Sequence, residues 1–129
     1  MIRRHHFLRG LAAALALGAA MPAALAQASK PIRLIVPFPA GGATDLFART
    51  LSQKMGERLG TSIVIDNKPG AGGSLGSDIA AKATADGQTL LFTTTSTHSI
   101  GPAIGAKLPY DTVRDFTPIA HVGNAPSIM

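Results

Sequence analysis

Three short stretches of the sequence are rich in residue types that can hold a small anion. They are "PFPAGGATD" (37–45), "NKPGAGGSLG" (67–76) and "TTTSTHS" (93–99). The glycines leave backbone amides open to a ligand, because no Cβ atom shields them. The third stretch adds a row of hydroxyl groups and the imidazole of His98. If the three stretches lie together, amides at helix N-termini and neighbouring hydroxyls form a cradle for a small carboxylate.

The elements predicted around these stretches place them at one edge of a sheet. "IRLIV" (32–36) is a strand covered on both faces, and "SIVID" (62–66) and "TLLFTTTS" (89–96) are the second and third strands. A helix is predicted in each interval. This βαβαβ order predicts a mainly parallel sheet with right-handed crossovers and flanking helices, an α/β fold. All three stretches then follow the carboxyl ends of strands, where ligands of such sheets bind.

The first predicted helix lies in "TDLFARTLSQKMGERLG" (44–60) and ends at Gly60. Its apolar residues recur at i, i+4 spacing, so we expect them to face the core; they are Phe47, Leu51, Met55 and Leu59. The second helix, in "SDIAAKATA", presents an apolar face made of Leu75, Ile79 and Ala83.

Further along the chain, Asp111 is placed to cap a helical turn. The segment "TPIAHVG" (117–123) is a predicted fourth strand, in which His121 would be a core or edge histidine.

The N-terminus has the organisation of a secretion signal. A basic segment, "MIRRHHFLRG", precedes an apolar segment and the small-residue pattern "ALA" at 24–26. We therefore predict a signal peptide over 1–26 and an exported mature chain. The apolar run is shorter than the roughly 20 residues that span a bilayer, so no stable membrane insertion is expected after signal removal.

Charge and cysteine content exclude several classes of protein. Without the signal, nine Lys and Arg remain against seven Asp and Glu, and no dense basic tract survives. A nucleic-acid partner is therefore not expected. The chain has no cysteine, which excludes disulfides and thiol nucleophiles. No cofactor and no metal site are predicted.

The sequence also allows two readings other than a binding protein. "GGSLG" (72–76) matches the G-x-S-x-G nucleophile elbow with Ser74 at its centre, which would suit a small secreted serine hydrolase. That motif requires a sharp turn directly from a strand, whereas "NKPGA" separates the strand from this one. Alternatively, the glycine-rich loops are purely structural, since turns often need glycine.

Four segments in order, "PFPAGGATDLFAR", "NKPGAGGSLGSDIAA", "LLFTTTSTHSI" and "KLPYDTVRDFTPIAHVG", resemble the N-terminal part of the Bug family. These are the substrate-binding proteins of tripartite tricarboxylate transporters. The resemblance implies an extracytoplasmic solute receptor with a type II periplasmic-binding-protein-like fold. Two α/β lobes would clasp a small organic anion, such as a di- or tricarboxylate, and pass it to membrane transporter subunits.

The resemblance implies that residues 27–129 form the first lobe, truncated and without the second. We expect such a lobe to bind poorly or not at all alone, because half a cleft cannot bury a ligand. The loops of the cradle and the resemblance together predict these ligand-binding residues: Ala40, Gly41, Gly42, Thr44, Asp45, Gly72, Gly73, Ser74, Thr95, Ser96 and His98.

Overall fold

The computed structural model describes residues 30–124, and the predicted signal peptide lies outside them. The described part contains a parallel sheet of three strands in the order β2-β1-β3. Their bounds are β1 Ile32–Val36, β2 Ile63–Asn67 and β3 Thr89–Leu91. The predicted parallel α/β sheet is confirmed, with β2 shifted by one residue from its predicted position.

The central strand, β1, is buried on both faces, as its apolar run predicts. Leu34 and Val36 pack with Ala48 of helix α1 (Ala43–Leu59) in the core cluster on one face. Ile35 is fully buried and points to the opposite face. Helix α2 (Ser74–Ala81) contacts β1 and β3. The two crossovers therefore cover the two faces of the sheet, as right-handed connections on either side of β1 require.

Helix α1 ends as predicted but turns a different face to the sheet. Gly60 has φ 64° and donates its N–H to the Gly56 carbonyl, which is the left-handed cap expected of glycine. The buried residues of α1 are instead Asp45, Ala48 and Ser52. The predicted apolar stripe is wrong for two of its members, since Phe47 and Leu59 are 51% and 57% exposed. Small side chains let the helix backbone lie close to the sheet, and this decides which face packs.

The third strand is shorter than the predicted 89–96. The amide of Phe92 still donates to the Ile35 carbonyl at 2.9 Å. Pro37, the next residue after β1, has no N–H to continue the ladder. The chain therefore leaves the sheet and forms a π-helical turn, Ser96–Ile100, followed by α3 (Gly101–Ala103).

The segment after α3 contains one confirmed prediction and one error. Asp111 caps a turn, because its Oδ1 accepts the backbone N–H groups of Val113 and Arg114 at 2.9 Å each. These hydrogen bonds, that of Arg114 first, lower the pKa of Asp111 to about 2. The predicted strand 117–123 is wrong, and His121 is exposed. A strand needs a hydrogen-bonding neighbour, and no described strand lies beside this segment.

Within residues 30–124, no helix combines the length and apolar character needed to cross a membrane.

Candidate functional site at the carboxyl edge of the sheet

The first loop, residues 37–42, leaves β1 and enters α1. Gly41 has φ 82°, a left-handed conformation that favours glycine. Gly42 is the N-cap of α1 and has no side chain with which to accept the first-turn amides. Those amides lack intrahelical partners in any helix, so the exposed end of α1 offers donors and partial positive charge to an external anion.

The carboxylate of Asp45 points inward, beneath this loop. It is 1% exposed and accepts hydrogen bonds from the Arg49 Nε at 2.8 Å, the Gly41 amide at 2.9 Å and the Asn67 Nδ2 at 2.9 Å. The hydrogen bond from Arg49, followed by those from Gly41 and Asn67, holds the pKa of Asp45 well below its usual range. Asp45 is therefore an ionised internal anchor and lies beneath the rim.

The second loop makes an unusual series of left-handed turns. Gly70, Ala71, Gly72 and Gly73 all have positive φ, and Ala71–Gly73 forms a 3-10 turn that leads into α2. Two amides predicted as ligand donors are engaged inside this loop. The amide of Gly73 donates to the Gly70 carbonyl at 2.9 Å, and that of Ser74 donates to the Ala71 carbonyl. The second loop therefore helps to shape the edge, but its Gly73 and Ser74 amides are already hydrogen-bonded within the loop.

All three loops meet at Gly73. A Cβ atom placed on Gly73 would lie 2.6 Å from Thr97 Cγ2 in the third loop. It would also lie 3.4 Å from Phe38 Cζ and 3.5 Å from Pro37 Cβ in the first loop. Gly76, one turn into α2, is equally tight, since its Cβ would lie 2.8 Å from both Pro37 Cβ and the Lys68 carbonyl oxygen. The absence of a side chain is what allows the loops to come together.

The third loop is organised by hydroxyl groups around an imidazole. Thr93 Oγ1 lies 2.6 Å from both Thr97 Oγ1 and His98 Nδ1, and Thr97 Oγ1 donates to the Thr94 carbonyl at 3.0 Å. The Tyr110 hydroxyl donates to the Thr97 carbonyl at 3.1 Å. This network fixes the loop that carries the exposed hydroxyl-bearing residues.

His98 is partly buried in an aromatic cluster that sequence reasoning did not identify. Its ring lies 5.7 Å from that of Tyr110 and 4.7 Å from that of Phe116, measured between centroids. Burial lowers the pKa of His98. The neutral imidazole is therefore the favoured form near pH 7. The segment "KLPYDTVRDF" contained both partner rings, but nothing in its spacing indicated that they pack against the third loop.

The predicted site residues divide into an exposed rim and a buried support. Exposed or half-exposed residues of the rim are Ala40, Gly41, Gly42, Thr44, Gly72, Ser74, Thr95, Ser96 and His98. Asp45 and Gly73 are buried. Asn67, which the sequence prediction missed, belongs with the support because its Nδ2 donates to the Phe38 carbonyl at 3.1 Å as well as to Asp45. The sequence did offer a signal for Asn67, since it is a hydrophilic residue directly at the carboxyl end of a predicted strand.

An edge that carries helix-terminal amides and hydroxyl groups can hold a carboxylate without a metal or a covalent step. The fold is that of an α/β lobe whose candidate ligand site lies at the carboxyl edge of a parallel sheet.

Comparison with known proteins identifies the family. Residues 47–129 match the model described as "Tripartite tricarboxylate transporter family receptor". The chain belongs to this family, and its resemblance to Bug proteins is confirmed. Protein BugT of Bordetella pertussis is 40% identical over 102 residues, which cover 78% of this chain and 31% of BugT.

Solved structures agree on the fold. MatC from Rhodopseudomonas palustris with bound malate is 41% identical, with a TM-score of 0.65 over 68% of this chain and 30% of MatC. A structure described as a periplasmic transporter is 48% identical, with a TM-score of 0.64 over 69% of this chain and 30% of that protein. The predicted periplasmic-binding-protein-like fold is confirmed. The chain spans about a third of the length of the curated relatives it matches.

Proposed function

We propose that this chain is the N-terminal ligand-binding lobe of a periplasmic receptor for a small organic anion, such as a di- or tricarboxylate. The receptor would deliver its ligand to the membrane subunits of a tripartite tricarboxylate transporter. The observation that carries the proposal is the meeting of the three loops at Gly73, since the first of these loops leads into the N-terminus of α1.

Electrostatics favour an anionic ligand at this edge. The first turn of α1 contains one acid, Asp45, and its charge is directed inward and paired with Arg49. The helix terminus therefore keeps its partial positive charge toward solvent, an interaction of about 0.3–1 kcal/mol with an exposed anion and more when water is excluded. The bound malate of the related MatC structure supports the same ligand class.

We assign distinct roles to the rim residues. Gly41, Gly42 and Thr44 present the end of α1 to one carboxylate. Thr95 and Ser96 contribute hydroxyl groups from the third loop. His98, in its neutral form, can accept or donate one hydrogen bond without adding charge.

The geometry does not support the hydrolase alternative. The Ser74 hydroxyl donates to the Ala71 carbonyl at 2.8 Å, one turn back in its own loop. The Nδ1 atom of His98 lies within hydrogen-bond distance of Thr93 and Thr97. A nucleophilic serine needs a base within about 3.2 Å. Replacing Ser74 by Ala should therefore leave ester turnover at the background rate in both proteins, and a Ser74-dependent turnover would favour the hydrolase.

Titration by nuclear magnetic resonance tests the receptor proposal on the chain itself. Malate and adipate should shift backbone amide signals of the three loops, at a Kd on the order of 1 mM because half a cleft gives weak affinity. The matched control is the corresponding diamide, which has similar size and no charge. Equal responses to acid and diamide, or shifts scattered away from the carboxyl edge, would contradict the proposal.

A further inference from the structure

We infer that Asp45 and Asn67 together position the main chain of the first loop for anion binding, a role that rests on the function proposed above. Asp45 does not touch the ligand in this arrangement. It acts through the Gly41 amide, and Asn67 acts through the Phe38 carbonyl, so the pair holds the loop at two points.

In this pair the Asn67 nitrogen donates hydrogen bonds and the Asp45 oxygens accept them. The Asn67 Nδ2 donates both to Asp45 Oδ1 at 2.9 Å and to the Phe38 carbonyl at 3.1 Å. The Asp45 Oδ2 accepts from the Gly41 amide at 2.9 Å and from Arg49 at 2.8 Å. The Asn67 amide therefore has one suitable orientation, because only its nitrogen can donate to the Asp45 carboxylate and the Phe38 carbonyl.

The arrangement also explains why a negative charge beside an anion site is tolerated. The Asp45 carboxylate is satisfied by three donors and lies under the loop, whereas a carboxylate at the rim would repel an anionic ligand. A charge-assisted hydrogen bond from a backbone amide is stronger than a neutral one. The Gly41 amide is thus committed to the support, and the first amides of α1 are left without an intrahelical partner or a side-chain cap from Gly42.

Asp45→Asn tests the positioning role, because it replaces one carboxylate oxygen with an amide nitrogen. Its amide oxygen can still accept from Gly41 and Arg49, but its nitrogen then meets the donating nitrogen of Asn67. Asn67 must flip to relieve this, and it then loses the Phe38 carbonyl. If the new side-chain amide at position 45 turns the other way, its nitrogen faces the Gly41 N–H and that hydrogen bond is lost. In both orientations the loop loses one of its two attachments. Asn67→Ala is the second variant, and it decides the question if Asp45→Asn does not fold.

Two control variants separate positioning from general stability. Asp78→Asn removes a carboxylate from another i,i+4 ion pair, with Lys82, on the far helix α2. Ile35→Val destabilises the core at a fully buried position in β1, outside the three loops.

The experiment combines amide signals with malate affinity in the full chain. We expect Asp45→Asn to move the Gly41 and Gly42 amide signals, speed their hydrogen exchange, and raise the Kd about tenfold, which is about 1.4 kcal/mol. Asn67→Ala should raise the Kd similarly while retaining the Gly41 signal. Asp78→Asn and Ile35→Val should leave the Kd within about twofold.

The outcomes are distinct. An unchanged Kd in Asp45→Asn and Asn67→Ala, with or without altered amide signals, overturns the positioning role while the receptor proposal stands. A wild-type chain whose loops respond equally to malate and to its diamide refutes the proposed function itself. A rise in Kd that Ile35→Val reproduces would show that only stability was measured, and this also overturns the inference.

Discussion

Substituting Gly73 by alanine should damage the site, because this residue lies where the three loops meet. The new Cβ would lie 2.6 Å from Thr97 Cγ2, a distance that requires the third loop to move. It would also force φ 95° on a residue with a side chain. Two costs therefore combine at this position, one from the backbone and one from packing.

The size of the effect follows from these two terms. A non-glycine residue in left-handed conformation costs about 1–2 kcal/mol, and overpacking costs about 1–3 kcal/mol. We therefore expect Gly73→Ala to lower the free energy of unfolding by about 2–5 kcal/mol. For a domain of this size each kcal/mol lowers the Tm by about 4–8 °C, so the change is large in a thermal melt.

Gly72→Ala is the matched control, since Gly72 also has positive φ, 65°, but a Cβ there would contact nothing within 4 Å. It should incur the backbone cost alone, about 1–2 kcal/mol. Thr97→Ser removes the methyl group that the new Cβ at position 73 would strike, so Gly73→Ala should cost less in that background. Thermal and urea unfolding of the single variants and of the double mutant, each against the wild type, measure both terms. Equal losses for Gly72→Ala and Gly73→Ala, or no relief by Thr97→Ser, would show that the loops do not meet here.

Two further predictions concern the core and the imidazole. Ile35→Ala should lower the free energy of unfolding by about 2–5 kcal/mol because Ile35 is fully buried. Val64→Ala, at a position that is 53% exposed, should change it by about 0.5 kcal/mol or less. Similar urea midpoints for the two variants would contradict the packing of β1. Burial lowers the pKa of His98, so the unfolded chain binds that proton first and stability should fall as the pH drops below about 6.5. His98→Gln should remove this part of the pH dependence, and His121→Gln, at an exposed position, should retain it. The measurement is the unfolding free energy from about pH 7 to 5. If His98→Gln leaves its slope against pH unchanged, His98 is not the group responsible.

Much of the site's location follows from local sequence. The continuous apolar run of β1 required burial on both faces, and the βαβαβ order required parallel strands, whose carboxyl ends share an edge. Gly60 and Asp111 performed the capping roles that their residue types favour. Local propensity and chain order were sufficient in each case.

The remaining features depend on which elements become neighbours. The face of α1 that packs is set by the close approach of Ala48 to the sheet, so Phe47 is exposed despite its helical spacing. Asn67 joined the site because β2 lies beside β1, and Tyr110 joined it because its segment folds back over the third loop. The elements, their order and the chemistry of the loops could be predicted from local sequence. The side chains that support the loops could not, because contacts between distant residues depend on the geometry of packing and leave no local periodicity.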